Sequence, residues 1–341
     1  MKNYQNNLPL ISIIIPCRNE EKFIAKCLDS IIKQNYPKEK MEILVIDGMS
    51  EDKTKNIIKK YSEKYSFIKL LDNFQKIKPI ALNIGINKSI GEYIIIMDAH
   101  AKYQKSYIAK CIETAFEYNA DNVGGMLKTI PKDNKIIAKG IAKCLSSTFG
   151  VGGASFRKGS RKTKEVDTVF GGCYKKSIFN KIGLFNKKLI RSQDIELNIR
   201  LKKAGGKIIL NPEIISYYYP KSTLKKFFKH CFLKGLWIVY VPKLTKTPLR
   251  LRHYAPLALV LSILLPLILS LLYPPFAWIS LFILATYSIA SSCFSLKIAL
   301  KEKNIVYFFL MPIVFACRHF GHGFGSFWAL FTRPKQNKVY R

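Results

Sequence analysis

An uninterrupted stretch without a single charged side chain, residues 255–296, is the feature that most restricts what this chain can fold into. So long an apolar run exceeds an ordinary core helix and predicts helices that cross a lipid bilayer. Two adjacent prolines, Pro274 and Pro275, divide it into segments 255–273 and 276–296. Each segment has about the 20 residues that the hydrocarbon core of a bilayer requires. The sequence therefore predicts two transmembrane helices in its C-terminal part.

A third apolar segment, residues 305–331, is interrupted by Arg, His and Gly residues, so the sequence leaves open whether it spans the membrane or re-enters it. Together with the two spans it defines a membrane region over residues 255–331, followed by a basic tail at 332–341. Basic residues flank both ends of the predicted hairpin, at 243–252 and 297–303. Because loops rich in Lys and Arg stay in the cytoplasm, we expect the N-terminal domain on the cytoplasmic side of an inner or plasma membrane.

The net charge of the chain, +34 from 56 basic and 22 acidic residues, indicates an anionic partner. Residues 221–252 contain nine basic side chains and no acid, and a polybasic run beside a membrane segment attracts anionic lipid headgroups. Residues 222–243 also mix Lys with Phe, Leu and Trp, which predicts an amphipathic helix in the headgroup layer, within a basic segment at 216–254. No zinc-finger spacing or RNA-binding aromatic signature accompanies the charge, which argues against nucleic acid.

Apolar strands and amphipathic helices alternate over residues 10–100, with short connections between them. The predicted strands are 10–16, 41–47, 67–72 and 92–98. Their continuous apolar runs are typical of strands buried on both faces of a parallel sheet. The alternation predicts an α/β fold, with a Rossmann-like and mostly parallel sheet, over residues 1–215. Ligands of such sheets bind at the carboxyl ends of the strands, here residues 16–20, Asp47, and Asp98 with His100.

Six short motifs occur in an order and spacing that resemble those of the family-2 glycosyltransferases of GT-A fold. They read ISIIIPCRNEE, ILVIDGMSED, KPIALNIG, GEYIIIMDAHA, FGGCYKKSIF and QDIELNIRLKKAGGKI. Each motif is weak alone, whereas six in order are specific. The resemblance covers about residues 10–240 and is nearest to the membrane-attached exopolysaccharide enzymes of the succinoglycan type, which also have a hydrophobic tail. It implies an inverting, metal-dependent hexosyltransferase.

The resemblance also implies a nucleotide-sugar donor, a UDP-sugar, held by residues that follow the first two strands. Asp47 would accept a hydrogen bond from the uracil ring, although Gly48 and Met49 stand where the family often has a second acid. The loop after the first strand would lie on the nucleotide side, and its residues are Pro16, Arg18, Asn19 and Glu20. An ordinary surface helix start is the alternative for this loop, and a helix-capping acid is the alternative for Asp47.

Two further donor-side residues, Lys78 and Asn83, match the family's K-x-x-x-L-N element. Lys78 would pair with phosphate, and a solvated lysine at a helix start is the alternative. Asp98 and His100 occupy the family's Asp-x-Asp position, and on an extended chain their side chains would point the same way. A divalent ion there would neutralise the departing nucleoside diphosphate, and imidazole beside carboxylate favours Mn²⁺ over Mg²⁺. The alternative is that Asp98 acts through water while His100 touches a phosphate.

Asp194 stands at a predicted helix start, where the family commonly reads Glu-Asp, and the resemblance implies a general base for the acceptor hydroxyl. Gln193 replaces the usual Glu, and a simple capping role is the alternative for Asp194. Glu196, two residues further on, cannot share the helical face of Asp194 and is expected to be solvated. On the acceptor side, Gly171 and Gly172 would let the backbone approach the acceptor.

Processive polysaccharide synthases resemble this chain in the same domain but carry a Gln-x-x-Arg-Trp element and more spans. Here the corresponding stretch reads KHCFLKGLW, with Trp237 on the acceptor side but no Gln or Arg, which favours transfer of a single sugar. The expected acceptor is a polyprenyl-diphosphate-linked saccharide, in cell-surface or exopolysaccharide assembly. Two alternatives stay open, a polyprenyl-phosphate sugar transferase and a catalytically inactive membrane scaffold of the same fold.

Overall fold

The structure is a computed structural model that describes residues 8–333, and the chain separates into two compact units. The described part of the first unit comprises residues 8–128 and 159–218, and that of the second comprises residues 129–158 and 219–333. The predicted basic tail at 332–341 lies outside the described residues except for its first two positions.

The first unit is built on one sheet, to which the described residues contribute nine strands. In chain order they are β1 (Ile11–Cys17), β2 (Met41–Asp47), β3 (Ile68–Asp72), β4 (Tyr93–Ile96), β5 (Ala101–Tyr103), β6 (Asn122–Thr129), β7 (Lys164–Glu165), β8 (Cys173–Lys175) and β9 (Ile208–Tyr218). Their spatial order is β3-β2-β1-β4-β8-β6-β9-β5, with β7 paired to β9. Strands β1–β4 pair in parallel, whereas β8 is antiparallel to β4 and β6, and β9 is antiparallel to β5 and β7.

The parallel half of the sheet follows from the sequences of its strands. β1 reads ISIIIPC and β2 reads MEILVID, and the β-branched residues that dominate them suit a pleated surface buried on both faces. Cys17 pairs with Asp47, so β1 and β2 end at the same edge. The strand order reverses at β1, which lies between β2 and β4, and ligands of open α/β sheets bind at such a reversal. The predicted Rossmann-like α/β fold is confirmed, with its parallel part confined to β1–β4.

The described residues form thirteen α-helices and two short 3₁₀ turns, Lys38–Lys40 and Leu251–His253. In chain order the α-helices are α1 (Ile24–Ile32), α2 (Thr54–Lys64), α3 (Lys78–Lys88), α4 (Tyr107–Glu117), α5 (Ile136–Cys144), α6 (Thr148–Val151), α7 (Ser155–Lys158), α8 (Ile178–Ile182), α9 (Gln193–Lys203), α10 (Leu224–Thr245), α11 (Ala255–Leu269), α12 (Phe276–Glu302) and α13 (Val306–Phe331). Helices α1–α4, α8 and α9 belong to the first unit, and the other helices belong to the second.

The second unit holds the apolar helices. Within residues 8–333, α12 is the one helix long and apolar enough to cross a membrane, and α11 is a shorter apolar helix. Helices α10 and α13 meet backbone to backbone, because a Cβ atom on Gly325 would lie 1.9 Å from the carbonyl oxygen of Phe232. A Cβ atom on Gly235 would lie equally close, 1.9 Å, to the carbonyl oxygen of His322. Such close approach is open only to glycine and is typical of helix pairs in membranes.

Two of the polar side chains that interrupt the apolar sequence of α13, Arg318 and His319, have partners inside the second unit. Arg318 donates from Nε to the carbonyl oxygen of Gly150, at 3.1 Å. The His319 ring lies 2.9 Å from the carbonyl oxygen of Phe149 and 3.1 Å from the hydroxyl of Tyr287. Helix α13 is therefore fixed by α6 and α12 as well as by α10.

Candidate active site

The loops that follow β1 and β2 are joined by hydrogen bonds around Asp47. The carboxylate of Asp47 is fully buried and accepts hydrogen bonds from the backbone N–H and the hydroxyl of Ser50. The Ser50 hydroxyl in turn accepts from the backbone N–H of Asn19, at 2.9 Å. Asn19 adopts a left-handed φ of 55°, and its side-chain oxygen accepts from the backbone N–H of Glu51. Asp47 thus fixes the shape of both loops.

The remaining residues of the first loop are anchored to the segment after β2. Arg18 pairs with Glu51 at 3.3 Å, and its Nε is buried without a hydrogen-bond partner among the described residues. The backbone N–H of Glu20 donates to the Thr54 hydroxyl at 2.7 Å. Pro16 lies in β1, where it pairs with the strand β2 one residue before Asp47. An unpartnered buried guanidinium nitrogen at a strand end can donate to an anionic ligand.

Asp98 follows β4 and forms an ion pair with Lys78, whose Nζ lies 2.6 Å from its Oδ1. Burial alone would raise the pKa of the Asp98 carboxyl, but the charges of Lys78 and His100 outweigh burial and lower that pKa. Burial would likewise lower the pKa of the Lys78 ammonium, whereas the charge and hydrogen bond of Asp98 raise it. Lys78 is therefore a paired cation at the strand end, and the alternative of a simply solvated lysine is wrong.

His100 takes a different partner from Asp98, because the chain turns between them. The backbone N–H of Ala101 donates to the carbonyl oxygen of Asp98 at 3.1 Å, so the expected extended Asp-x-His geometry is wrong. His100 Nδ1 lies 3.1 Å from Oε1 of Glu20, and its ring meets the edge of Tyr218. Burial would lower the pKa of His100, but the hydrogen bond with Glu20 and the charges of Asp98 and Glu20 raise it.

The donor atoms at this strand end fit a divalent ion. A metal-binding histidine commonly donates its other ring N–H to a carboxylate, and the contact between His100 Nδ1 and Glu20 has that arrangement. Lys78 occupies Oδ1 of Asp98, so Oδ2 can accept a further ligand. Within residues 8–333 there is no cluster of three or more His, Cys, Asp or Glu side chains arranged to hold a metal. Asp98 and His100 could therefore supply two ligands to a divalent ion, and a bound diphosphate and water would have to supply the others.

Asp194 lies in the first turn of α9, where the partial positive charge of the helix N-terminus favours a carboxylate. Its side chain is exposed, whereas Gln193 beside it is buried. The chain enters the helix through Ser192, whose φ of 60° is left-handed. The charge of Asp194 also raises the pKa of Lys78, so both acids, Asp98 and Asp194, act on the same ammonium group. The structure thereby brings together residues that are 96 positions apart in the sequence.

Glu196 holds α9 in place, and the expectation that it is solvated is wrong. Its side chain is 3% exposed and binds Arg200 through both oxygens, at 2.7 and 2.8 Å. The guanidinium of Arg200 also donates to the carbonyl oxygens of Ile182 and Leu184, at the end of α8. The i, i+4 spacing places Glu196 beside Arg200 on the helix, and the α8 segment covers them both.

The glycine pair and Asn83 have structural contacts within the first unit. Gly171 has a φ of 68°, and a Cβ atom there would lie 2.7 Å from the carbonyl oxygen of Ile96 at the end of β4. The backbone N–H of Ile96 donates to the carbonyl oxygen of Gly172 at 3.0 Å. Both amide atoms of Asn83 bind the backbone of Phe185, at 2.8 and 3.0 Å. These contacts place the two glycines beside Ile96, which lies two residues before Asp98 in the chain.

Sequence reasoning missed three residues at this site. The hydroxyl of Tyr103 accepts a hydrogen bond from the backbone N–H of Asp98 at 2.7 Å, and Tyr218 contacts His100. The charge of Arg191 acts on Lys78. Tyr103 and Arg191 stand within five residues of a recognised motif, which is the only sequence signal for them. Trp237, predicted on the acceptor side, belongs to the second unit, where it is buried against Tyr240.

Comparison with known proteins identifies the family. The sequence pattern of glycosyl transferase family 2 matches residues 12–183. The chain is 38% identical over 232 residues to the dolichyl N-acetyl-alpha-D-glucosaminyl phosphate 3-beta-D-2,3-diacetamido-2,3-dideoxy-beta-D-glucuronosyltransferase of Methanococcus voltae, covering 66% of this chain and 71% of that protein. It is 26% identical over 225 residues to the succinoglycan biosynthesis protein ExoA of Rhizobium meliloti, covering 65% and 67% of the two chains.

A solved structure agrees with the fold. The mannosyltransferase PcManGT from Pyrobaculum calidifontis, in complex with GDP-Man and Mn²⁺, aligns with a TM-score of 0.59 at 18% identity. The alignment covers 94% of this chain and 87% of the mannosyltransferase, and at this identity it speaks for the fold alone. With the family match, the 38% relative and the strand order of the sheet, the chain belongs to glycosyl transferase family 2 and has the GT-A fold.

Proposed function

We propose that this glycosyltransferase transfers a single sugar, with inversion, from a UDP-sugar to a lipid-linked saccharide. The observation that carries the proposal concerns Lys78. Its ammonium pairs with Asp98, and its pKa is also raised by the charge of Asp194. The acid proposed to face the leaving diphosphate pairs with Lys78, and the charge of the acid proposed for the acceptor raises the pKa of the same ammonium group. This common effect on Lys78 is what supports placing the donor and the acceptor at one site.

The proposed chemistry begins at Asp194. An alcohol is a poor nucleophile unless a positioned base accepts its proton as the new bond forms, and an exposed carboxylate at the start of α9 suits that role. Direct displacement by the hydroxyl from the side opposite the leaving group inverts the anomeric centre. Lys78 places a positive charge where the departing diphosphate develops negative charge. Asp47, Arg18 and the rest of the first two loops would bind the nucleotide.

Asp98 and His100 would hold a divalent ion, and Mn²⁺ is proposed over Mg²⁺ because imidazole is a ligand that transition ions accept more readily. When bound, such an ion acts as a Lewis acid that neutralises the diphosphate. Support comes from the Mn²⁺ in the Pyrobaculum calidifontis mannosyltransferase complex and from the contact that orients the His100 ring towards Glu20.

The proposed acceptor is a saccharide on a polyprenyl diphosphate, at the cytoplasmic face of an inner or plasma membrane. The name of the Methanococcus voltae relative specifies a dolichyl-phosphate-linked sugar as its acceptor, and that of ExoA specifies succinoglycan biosynthesis. The apolar helix α12 and the basic helix α10 suit an enzyme whose acceptor lies in a membrane with anionic lipids. Assembly of a cell-surface or extracellular polysaccharide is the corresponding process.

The test is an assay of the purified full chain in detergent with a panel of UDP- and GDP-sugars and a polyprenyl-diphosphate-linked saccharide. We expect one sugar to be added from a UDP-sugar, with an inverted anomer by NMR and with loss of turnover in EDTA. Asp194→Asn should lower kcat by about 10²–10⁴-fold, whereas Glu63→Gln, an exposed carboxylate on α2, should not change it. Full activity in EDTA or unchanged turnover in Asp194→Asn contradicts the mechanism. Sugar transfer to polyprenyl phosphate alone favours the carrier-forming transferase instead.

A further inference from the structure

Helix α13 exposes a row of apolar side chains along its whole length, and we call this row the apolar stripe. Its exposed members are Val306, Phe309, Ile313, Phe324, Trp328 and Phe331. Successive members are 3, 4, 11, 4 and 3 residues apart, so with 3.6 residues per turn they lie on one side of the helix. An exposed apolar surface that runs the length of a helix marks a contact with a partner or with a membrane.

The opposite side of α13 packs against α10. A Cβ atom on Gly321 would lie 3.2 Å from the carbonyl oxygen of Phe228 on α10. Nine residues further along α13, the carbonyl oxygen of Leu330 accepts a hydrogen bond from Nζ of Lys243 on α10, at 2.9 Å. Both helices advance towards their C-terminal ends between these contacts, so they lie side by side and point in the same direction. Any depth that α10 takes in a membrane is therefore shared by α13.

Helix α10 is too basic to cross a bilayer. Its sequence contains five lysines, Lys225, Lys226, Lys229, Lys234 and Lys243. The first three are exposed and lie within three residues of Phe228, which contacts the middle third of α13. If α13 crossed the membrane, these exposed ammonium groups would come near the bilayer centre, where a lysine is strongly unfavourable. The packing of α10 therefore opposes a transmembrane course for α13.

The apolar stripe is continuous with the surface of α12, the candidate membrane helix. The ring of Phe320 on α13 lies 5.3 Å from the ring of Tyr287 on α12 and 6.0 Å from the ring of Phe324. On α12 itself, Trp278 and Phe282 are each 73% exposed. An apolar surface that extends over two helices, one of them long enough to cross a membrane, suits the acyl chains of lipids. The exposed lysines of α10 suit anionic headgroups, so a lipid leaflet fits both parts of this surface.

We propose that α13 lies in the plane of the membrane interface, with the apolar stripe inserted among the lipids of one leaflet and α10 on its other side. A helix with one apolar side and basic residues beside it typically adopts this position. Both ends of α13 then lie on the same side of the membrane, so the helix neither spans the bilayer nor re-enters it. The proposal concerns attachment to lipid and does not depend on the proposed sugar transfer.

The side on which each end of α13 lies is tested with Lys301→Cys and Arg333→Cys, which replace exposed residues before and after the helix. The full chain is labelled with a membrane-impermeant maleimide in sealed inverted vesicles and in intact spheroplasts, and labelling in detergent gives the total. The wild type, in which Cys293 is exposed, supplies the background. We expect both cysteines to be labelled in one preparation and protected in the other. Glu63→Cys, at an exposed position of α2, is the matched control and should be labelled together with them.

Insertion of the stripe is tested through Trp328, which is 57% exposed. The wild type and Trp328→Phe are reconstituted into vesicles of phosphatidylcholine and phosphatidylglycerol, with part of the lipid brominated either near the headgroup or near the end of the acyl chain. The difference between the two proteins gives the emission of Trp328. We expect bromine near the headgroup to quench this emission more strongly than bromine at the chain end. Trp278→Phe, which removes an exposed tryptophan from α12, should leave the quenching of Trp328 unchanged.

Same-side labelling together with quenching of Trp328 by lipid supports the proposal. Labelling of Lys301→Cys and Arg333→Cys on opposite sides shows a spanning helix and overturns it. Trp328 emission that brominated lipid does not quench also overturns it, and a dimer found by light scattering in that case assigns the stripe to a second copy of the chain. Neither measurement uses sugar transfer, so failure of the proposed function would leave both results interpretable.

Discussion

Removing the Glu196 side chain should loosen the helix that carries Asp194. Glu196 is 3% exposed and binds the Arg200 guanidinium through both carboxylate oxygens. Arg200 in turn donates to the carbonyl oxygens of Ile182 and Leu184, so a single guanidinium joins α9 to the end of α8. In Glu196→Ala this guanidinium keeps its carbonyl acceptors but loses its counter-charge.

The expected cost follows from the burial of the pair. Removing one partner of a buried ion pair destabilises a protein by about 3–5 kcal/mol. The Arg200 side chain is 26% exposed and retains the carbonyl oxygens, so the lower end, about 3 kcal/mol, applies here. At about 2–4 °C per kcal/mol, the melting temperature of the first unit should fall by roughly 6–12 °C. Glu196→Gln keeps the shape and one acceptor and should cost about 1–2 kcal/mol.

The chain contains a matched control on the same helix. Glu165 pairs with Lys202 of α9 but is 49% exposed, so Glu165→Gln should cost less than about 1 kcal/mol. Differential scanning fluorimetry of the full chain in detergent measures both variants, and sugar-transfer kinetics below the melting transition measure Asp194. We expect Glu196→Ala to lower kcat with little change in UDP affinity. A melting temperature within 2 °C of that of Glu165→Gln would refute the assigned role.

Three further outcomes are expected. His100→Ala should weaken Mn²⁺ binding, as measured by calorimetry with UDP present. The wild-type enzyme should be more active with Mn²⁺ than with Mg²⁺, and equal activity with both ions would count against His100 as a ligand. Because the pKa of His100 is raised in the folded state, its pairing with Glu20 stabilises the fold below about pH 6.5. This stabilisation is lost as the pH rises through the raised pKa. Glu20→Gln should therefore lower the melting temperature at pH 6 but not at pH 9. Gly325→Ala would place a Cβ atom 1.9 Å from the Phe232 carbonyl oxygen and should destabilise the second unit by about 3 kcal/mol or more. Gly153→Ala, where a Cβ atom would have no neighbour closer than 4.0 Å, should be tolerated. Equal melting temperatures of the two variants would contradict the close packing of α10 and α13.

The parallel half of the sheet was predictable because its strands are buried on both faces. Such strands read as continuous apolar runs, and the intervening helices force parallel connections. The antiparallel half was not predictable in the same way. β5, β7 and β8 have two or three residues each, too few to show a period. β5 and β7 both pair with β9, and β8 pairs with β4 and β6. These partners are determined by packing between segments that are far apart in the sequence.

At the site, the sequence indicated which positions meet but not how their side chains pair. Asp98 and His100 are separated by a turn, which the two-residue spacing could not reveal. Glu196 was predicted to be solvated because the helical period only assigns it to a face of α9. Its burial depends instead on the end of α8, whose carbonyl oxygens accept hydrogen bonds from Arg200. Asn83 matches a donor-side motif, yet its amide is occupied by the backbone of Phe185. Pairing between distant elements is fixed by the tertiary structure and leaves no local pattern.

Lys78 shows how such a pairing changes the interpretation of a residue. In the sequence it was as well explained by a solvated helix start as by a phosphate ligand. In the structure its ammonium is paired with Asp98, and the charge of Asp194 also raises its pKa. The positive charge of Lys78 offsets part of the repulsion between the two carboxylates. The nucleotide-sugar donor proposed above would bring a further negative diphosphate to this cation. Under the proposed function, Lys78 would therefore contribute to both donor binding and acceptor activation.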